Sequence, residues 1–138
     1  MLILAVIDTN ILVSAFRKPE GDETAVLAMV WSRTSRPTVP PVILAEYREV
    51  LLRPRFNDPI PRVTSVLDQL KRESLVLTPA AVKLTSPDPD DTKFIACAVA
   101  ARARYLVTGN RRHFLDAAYG TAEVVNARQL PGRLAALA

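Results

Sequence analysis

The chain has 138 residues, with 18 lysines and arginines, 14 acidic residues, one histidine and one cysteine. This length suits one domain with its own apolar core, so we expect residues 1–138 to form a single domain. The lone cysteine, Cys97, excludes an intrachain disulfide, and with His113 as the only histidine a zinc site is poorly supported. The net charge of +4 permits a nucleic-acid partner.

The first residues form an apolar run, Leu2 to Ile7, which we interpret as a strand. The run is too short for a membrane span or for the apolar core of a signal peptide, and no basic segment precedes it. We therefore expect no membrane association. We also expect a cytoplasmic location, because a single cysteine suits a reducing compartment.

Strand-like and helix-like patterns alternate along the chain, which predicts an α/β fold. The predicted strands span residues 2–7, 38–39, 75–77, 105–107 and 123–125, the last at the edge of the sheet. The predicted helices span residues 10–17, 23–33, 42–52, 62–72, 89–102 and 127–137, the last interrupted at Pro131 and Gly132, with a short helix near His113. The economical arrangement is a three-layer α/β/α sandwich with a central parallel sheet of four to five strands.

Asp8 directly follows the first predicted strand. Ligands of open α/β sheets bind beyond the carboxyl ends of the strands, so a carboxylate at this position faces the expected site. The alternative is that Asp8 or Asn10 caps the helix that follows, since both residue types are common helix caps. The residues around Asp8 leave both interpretations open.

Glu46 interrupts the apolar side of its predicted helix, because its neighbours one turn away are Val42, Ile43 and Val50. A carboxylate on that side must find a partner, shift its pKa or bind a cation. The alternative is that Glu46 lies at the edge of the apolar stripe and reaches water.

Asp91 shares a helix face with Phe94 and Ile95 and is therefore expected to point inward. Asp88 is the expected N-cap of the same helix, and Asp90 lies on a different face. The alternative is that all three acids only complement the helix dipole.

Together, Asp8, Glu46 and Asp91 offer only oxygen ligands, which suit Mg²⁺ or Mn²⁺ rather than zinc. An ion held there can polarise a phosphodiester and activate a water molecule. Basic residues around the acids would hold the phosphate backbone of a nucleic acid, although a solvated surface position is the alternative for each of them. These residues are Arg53, Arg55, Lys93, Arg111 and Arg112.

Four segments of the chain resemble PIN-domain proteins, in particular those grouped with VapC-like toxins of toxin–antitoxin systems. The segments appear in the order and spacing of that family and are Val6 to Ala15 with Asp8-Thr9-Asn10, Ala45 to Leu51 with Pro54-Arg55-Phe56, Asp88 to Phe94, and Tyr105 to Asn110. The resemblance covers nearly the whole chain. It implies a parallel α/β/α sandwich, a ribonuclease that depends on a divalent metal and, for toxin members, inhibition by a cognate antitoxin.

Carried over by position, the resemblance assigns the three metal-binding acids to Asp8, Glu46 and Asp91. It assigns supporting polar positions near the metal to Asn10 and Ser14.

The sequence departs from the family where a fourth acid is often found, because Asn110 and, three residues later, His113 stand there. An amide adds no negative charge, so a second metal would bind weakly or depend on RNA phosphate. Asp90 or Asp116 could substitute for the missing acid. Thr92 also replaces the acid or amide often found beside the third acid.

The leading hypothesis is a Mg²⁺- or Mn²⁺-dependent endoribonuclease, the toxin of a toxin–antitoxin pair, with an antitoxin protein as its partner. A homodimer is also expected, because apolar helices such as residues 25–31 outnumber the faces that one core can cover. One alternative is a catalytically silent PIN module that binds RNA or a protein. Another is a phosphotransfer or phosphatase domain with Asp8 as nucleophile and Lys93 as its partner, although no glycine-rich phosphate loop is evident.

Overall fold

The computed structural model describes residues 3–74 and 91–137. Its strands are β1 (Leu4–Ile7), β2 (Arg36–Pro37), β3 (Tyr105–Val107), β4 (Ala118–Tyr119) and β5 (Ala122–Val125). Its helices are α1 (Thr9–Arg17), α2 (Asp22–Trp31), α3 (Pro41–Leu51), α4 (Ile60–Glu73), α5 (Thr92–Ala101) and α6 (Leu130–Ala136). Two short 3-10 turns lie at Pro54–Phe56 and Arg111–His113.

The five strands form one sheet in the order β2-β1-β3-β5-β4. Strands β2, β1, β3 and β5 run parallel to one another, and β4 runs antiparallel to β5. With the helices packed on this sheet, the structure confirms the predicted α/β sandwich. Among the described residues no helix is long and apolar enough to cross a membrane.

The segment 123–125 was predicted as an edge strand, and this prediction is wrong. It belongs to β5, which lies between β3 and β4. The two-residue strand β4 was not predicted; it reaches β5 through a tight turn at Gly120, whose φ of 60° suits glycine. A strand this short has too few residues to show an alternating pattern, and it therefore cannot be predicted from periodicity.

Other element boundaries differ by a few residues. The predicted strand 38–39 lies at Arg36–Pro37, and α6 begins at Leu130, so that Pro131 starts the helix instead of interrupting it. The predicted strand 75–77 and the predicted cap Asp88 lie outside the described residues.

The centre of the sheet is fully buried. Ala5, Val6 and Ile7 of β1 and all three residues of β3 are at most 2% exposed. A strand that is covered on both faces needs apolar side chains at every position, which explains the continuous apolar run at the N-terminus.

Tyr47 joins α3 to the end of β1. Its side chain is buried, and its hydroxyl donates a 2.5 Å hydrogen bond to the carbonyl oxygen of Ile7. Burial raises the pKa of Tyr47 well above its usual value, so the hydroxyl stays protonated and remains a donor. This contact holds α3 against the strand end that precedes Asp8.

The substitution Tyr47→Phe removes the hydroxyl and therefore the hydrogen bond that it donates to the buried carbonyl oxygen of Ile7. We expect the free energy of unfolding to fall by about 1–2 kcal/mol, measured by urea denaturation. Tyr119→Phe is the matched control, because the Tyr119 hydroxyl accepts a 3.2 Å hydrogen bond from the Asp116 amide near the sheet edge. An equal loss in both variants would contradict a special role for Tyr47.

Candidate active site

A cleft of about 320 Å³ opens beyond the carboxyl end of β1. Its lining residues are Asp8, Thr9, Asn10, Val13, Glu46, Val50, Arg55, Phe56, Asp91 and His113. All three acids that the sequence singled out therefore line one cleft, although they come from three distant parts of the chain. We call this cleft the acidic cleft.

A second cleft, of about 360 Å³, lies elsewhere on the surface. It is lined by Arg33, Ser35, Arg36, Arg72 and Glu73. Because it holds a single carboxylate among three arginines, it lacks the grouped oxygen ligands of the acidic cleft. The chemistry of the side chains, and not the size of the opening, identifies the acidic cleft as the candidate site.

Asp8 is 5% exposed and lies between the end of β1 and the start of α1. Its Oδ2 accepts a 2.7 Å hydrogen bond from the Thr108 hydroxyl, and its backbone amide donates to the carbonyl of Val107. The carboxylate makes no capping hydrogen bond of normal geometry to α1. Asp8 therefore occupies the N-cap position of α1, but its side chain does not make the hydrogen bond of a capping residue.

Burial raises the pKa of Asp8 above its usual value. The hydrogen bond from Thr108 and the nearby backbone amide of Asn10 oppose this rise, whereas the negative charge of Glu46 adds to it. Asp8 is thus a carboxylate whose ionised form is disfavoured by its surroundings. A cation placed beside it would relieve that cost.

Glu46 lies on α3, and its side chain is only 19% exposed. One carboxylate oxygen, Oε1, lies 2.5 Å from the Lys93 ammonium, and the other, Oε2, accepts a hydrogen bond from the Thr9 hydroxyl. Glu46 therefore faces the acidic cleft instead of reaching out to water, and both of its oxygens have partners from within the chain.

Asp91 directly precedes α5 and is 8% exposed. Its Oδ2 lies 2.7 Å from Nδ1 of His113, a contact that is an ion pair when the imidazole is protonated. The side chain makes no capping hydrogen bond to α5. Asp91 thus points into the acidic cleft as expected, whereas Asp90 lies outside the described residues.

Asn10 connects α1 to the loop after β3, because its Oδ1 accepts a 3.2 Å hydrogen bond from the Gly109 amide. Asn110 lies in that loop; its backbone amide donates to the Thr108 hydroxyl at 3.1 Å, and its Nδ2 lies 3.2 Å from Nε2 of His113. Both residues therefore support the part of the chain that holds Asp8.

Most of the remaining predicted residues do not belong to the cleft lining. Ser14 and Thr92 are half-buried but do not belong to the lining. Arg53 binds Glu49 at 3.0 Å on the exposed side of α3. Arg112 is exposed, and the side chain of Arg111 lies outside the described part of the structure. Of the predicted basic residues whose side chains the structure describes, only Arg55 lines the cleft, and Lys93 binds Glu46 directly.

Sequence reasoning missed Thr9 and Thr108 as partners of the site carboxylates. Thr108 directly follows β3, as Asp8 directly follows β1, so the rule that singled out Asp8 also applied to Thr108. Sequence reasoning also missed Arg17. The guanidinium of Arg17 lies 4.9 Å from the centre of the Phe56 ring, and the guanidinium of Arg55 lies 4.8 Å from the same centre. That contact joins distant segments and has no local sequence signal.

The side chains of the acidic cleft are of the types that bind a hard divalent cation. They are not grouped as closely as bound ligands would be. Carboxylate oxygens are the ligands that Mg²⁺ and Mn²⁺ prefer. Within residues 3–74 and 91–137, however, no three side chains of His, Cys, Asp or Glu are grouped closely enough to hold a metal ion. Lys93 and His113 instead contact two of the three carboxylates.

The raised pKa of Asp8 predicts that Asp8→Asn stabilises the protein in the presence of a chelator. Since the ionised form is disfavoured in the fold, removing its charge should raise the thermal midpoint at pH 7. The difference between the two thermal midpoints should narrow as the pH falls from the pKa of Asp8 in the folded protein toward its usual value of 3.8. In that range the Asp8 carboxyl of the folded wild type takes up a proton and no longer carries the disfavoured charge.

The control for this measurement is Asp68→Asn, because Asp68 lies on the exposed face of α4. We expect its thermal midpoint to match that of the wild type. A lower midpoint for Asp8→Asn than for the wild type would show that the ionised carboxylate stabilises the fold.

Comparison with known proteins identifies the family of the chain. None of the curated protein sequences matches it. A chain of VapBC2 from Rickettsia felis, crystallised bound to a DNA fragment from its promoter, superposes with a TM-score of 0.60 at 17% identity, covering 90% of this chain and 98% of that one. A chain of VapBC-1 from nontypeable Haemophilus influenzae gives 0.59 at 14% identity, covering 91% and 99%. The PIN-domain family pattern matches residues 4–112, well over half of the length, and the chain therefore belongs to the PIN-domain family.

Proposed function

We propose that this protein is a Mg²⁺- or Mn²⁺-dependent ribonuclease that hydrolyses internal phosphodiester bonds of RNA. The observation that carries the proposal is that Asp8, Glu46 and Asp91 line one cleft at the carboxyl end of the sheet. Membership of the PIN-domain family supports it.

The three acids would hold the metal, which when bound supplies a Lewis acid and an activated water molecule. Thr108 fixes the orientation of the Asp8 carboxylate through its 2.7 Å hydrogen bond. Thr9 does the same for Glu46, and His113 for Asp91. The chain thus holds each carboxylate in place with a separate partner, as a site that positions a metal requires.

RNA would approach along the side of the cleft where Arg55 and Phe56 lie. The guanidinium groups of Arg17 and Arg55 both lie near the Phe56 ring, so positive charge and an aromatic surface are adjacent to the carboxylates. Arginines bind phosphate oxygens, and the planes of their guanidinium groups can stack on unpaired bases. This arrangement favours single-stranded RNA as the substrate.

The test of the proposal is cleavage of a fluorescently labelled single-stranded RNA by purified protein with Mn²⁺ or Mg²⁺. Asp8→Asn and Asp91→Asn should each lower the cleavage rate by roughly a hundredfold or more, because each removes a charged metal ligand. Excess chelator should abolish wild-type cleavage. Cleavage at the wild-type rate by either variant would contradict the assignment.

RNA binding, measured separately by fluorescence anisotropy, distinguishes catalysis from structure. Asp8→Asn should retain most of the wild-type affinity for the RNA, whereas Arg55→Gln should weaken it. If binding and cleavage fell in strict proportion in Asp8→Asn and Asp91→Asn, the acids would be structural.

A second candidate function is a catalytically silent PIN module that binds RNA or a protein. It is favoured by Asn110, which stands where a fourth acid is often found, and by the absence of a ready metal-binding group among the described side chains. Calorimetry distinguishes the two functions. A Mn²⁺ site at millimolar concentration supports the nuclease, and no binding supports the silent module.

We further propose that the protein is the toxin of a toxin–antitoxin pair and that its partner is a cognate antitoxin. The fold similarity to chains of VapBC structures supports this role.

We also propose that the protein forms a homodimer. Light scattering should then give twice the mass of one chain at micromolar concentration. A monomer at all such concentrations would contradict the dimer.

The toxin role predicts that induced expression without an antitoxin arrests growth of a bacterial host. Asp8→Asn, which should fold but not cut RNA, is expected to allow normal growth at an equal protein level, measured by immunoblotting. Equal growth arrest by the wild type and by Asp8→Asn would contradict toxicity through cleavage.

A further inference from the structure

We infer that Lys93 is a built-in counter-ion of the acidic cleft, and that its ammonium group competes with a divalent cation for the Glu46 carboxylate. The inference rests on the proposed metal-dependent function. It makes Lys93 a positioning residue that sets how tightly the site binds its metal.

Lys93 contacts an acid of the cleft directly. Lys93 lies in the first turn of α5, two residues after Asp91, so one short segment carries both an acid and a cation to the cleft. Its Nζ lies 2.5 Å from Oε1 of Glu46, while the Thr9 hydroxyl donates to Oε2. Each oxygen of Glu46 therefore already has a partner, and a metal must share or displace one of them.

Lys93 also offsets negative charge in the acidic cleft. The side chains of Lys93 and Glu46 are 25% and 19% exposed, so the pair is shielded from most of the solvent. Asp8, which is still more buried, lies close enough to feel the charge of Glu46. The ammonium supplies positive charge to this group of acids, which would otherwise repel one another.

The Lys93 ammonium and a metal ion would compete for Oε1 of Glu46. Mg²⁺ binds a carboxylate oxygen at about 2.0–2.1 Å, so an ion on Oε1 would lie next to the ammonium and be repelled by it. The four-carbon stem of lysine lets the ammonium move away without a change in the backbone. It would stay tethered beside the cleft, where a phosphate of bound RNA offers it a new partner.

The decisive experiment is a calorimetric titration of Mn²⁺ alone into chelator-treated protein. Lys93→Met keeps most of the apolar stem and removes the charge, so it should bind Mn²⁺ about tenfold more tightly than the wild type, a difference of about 1.4 kcal/mol. Lys93→Arg keeps the charge and should retain wild-type affinity within a few-fold. Lys71→Met, at the exposed end of α4, is the matched control and should leave the affinity unchanged.

The outcomes separate this inference from the proposed function. Mn²⁺ binding by Lys93→Met that is equal to or weaker than that of the wild type would overturn the role of Lys93 and leave the nuclease proposal standing. Absence of Mn²⁺ binding in the wild type and in all variants would overturn both.

A second measurement uses the wild-type protein and does not depend on the folding of a variant. Acetylation of lysine amines by a small reagent, followed by mass spectrometry, reports how accessible each ammonium is. With chelator, Lys93 should react more slowly than the exposed Lys18 and Lys71, and saturating Mg²⁺ should accelerate its modification alone. A Lys93 rate that Mg²⁺ leaves unchanged or lowers would overturn the inference.

Discussion

The parallel pairing of β1 with β3 is the constraint on which the site depends. Ile7 lies opposite Val107 in the register of the two strands, so the next residues, Asp8 and Thr108, leave the sheet side by side. A hydrogen bond then joins their side chains across 100 positions of sequence. Because both strands are buried on both faces, neither can slip without exposing apolar side chains, and the position of the Asp8 carboxylate follows from the core.

Burying acids at this strand end has an electrostatic cost, and each acid is offset by a different partner. Thr108 donates to Asp8, Lys93 lies on Glu46, and His113 contacts Asp91. A hydroxyl stabilises a carboxylate without cancelling its charge, whereas an ammonium cancels it. Asp8 would therefore gain most from a metal ion, whereas an ion on Glu46 would have to share or displace one of the partners of that carboxylate.

The sequence alone was sufficient to predict the sandwich and the three acids that share the acidic cleft. Periodicity revealed the buried strands, and a carboxylate on an apolar side or at a strand end revealed each acid. It was not sufficient to predict the pairing of Lys93 with Glu46, which depends on how α5 packs beside α3. Strand β4 could not be predicted either, because its two residues pair with β5 as a result of the turn at Gly120 and show no apolar pattern of their own.

The loop after β3 shows why an amide at position 110 is compatible with this site. The Asn110 backbone donates to the Thr108 hydroxyl, which in turn donates to Asp8, so residue 110 lies one contact away from the most buried acid. A carboxylate at 110 would add negative charge next to His113 of the acidic cleft, where burial and Glu46 already disfavour ionisation of Asp8. The backbone amide of residue 110 donates to the Thr108 hydroxyl whichever side chain it carries, and the Asn110 side chain, whose Nδ2 lies 3.2 Å from Nε2 of His113, adds no charge. Compared with a chain that carries an acid at position 110, this chain has less negative charge to hold a second metal. It also has less negative charge in the cleft to neutralise when no metal is bound.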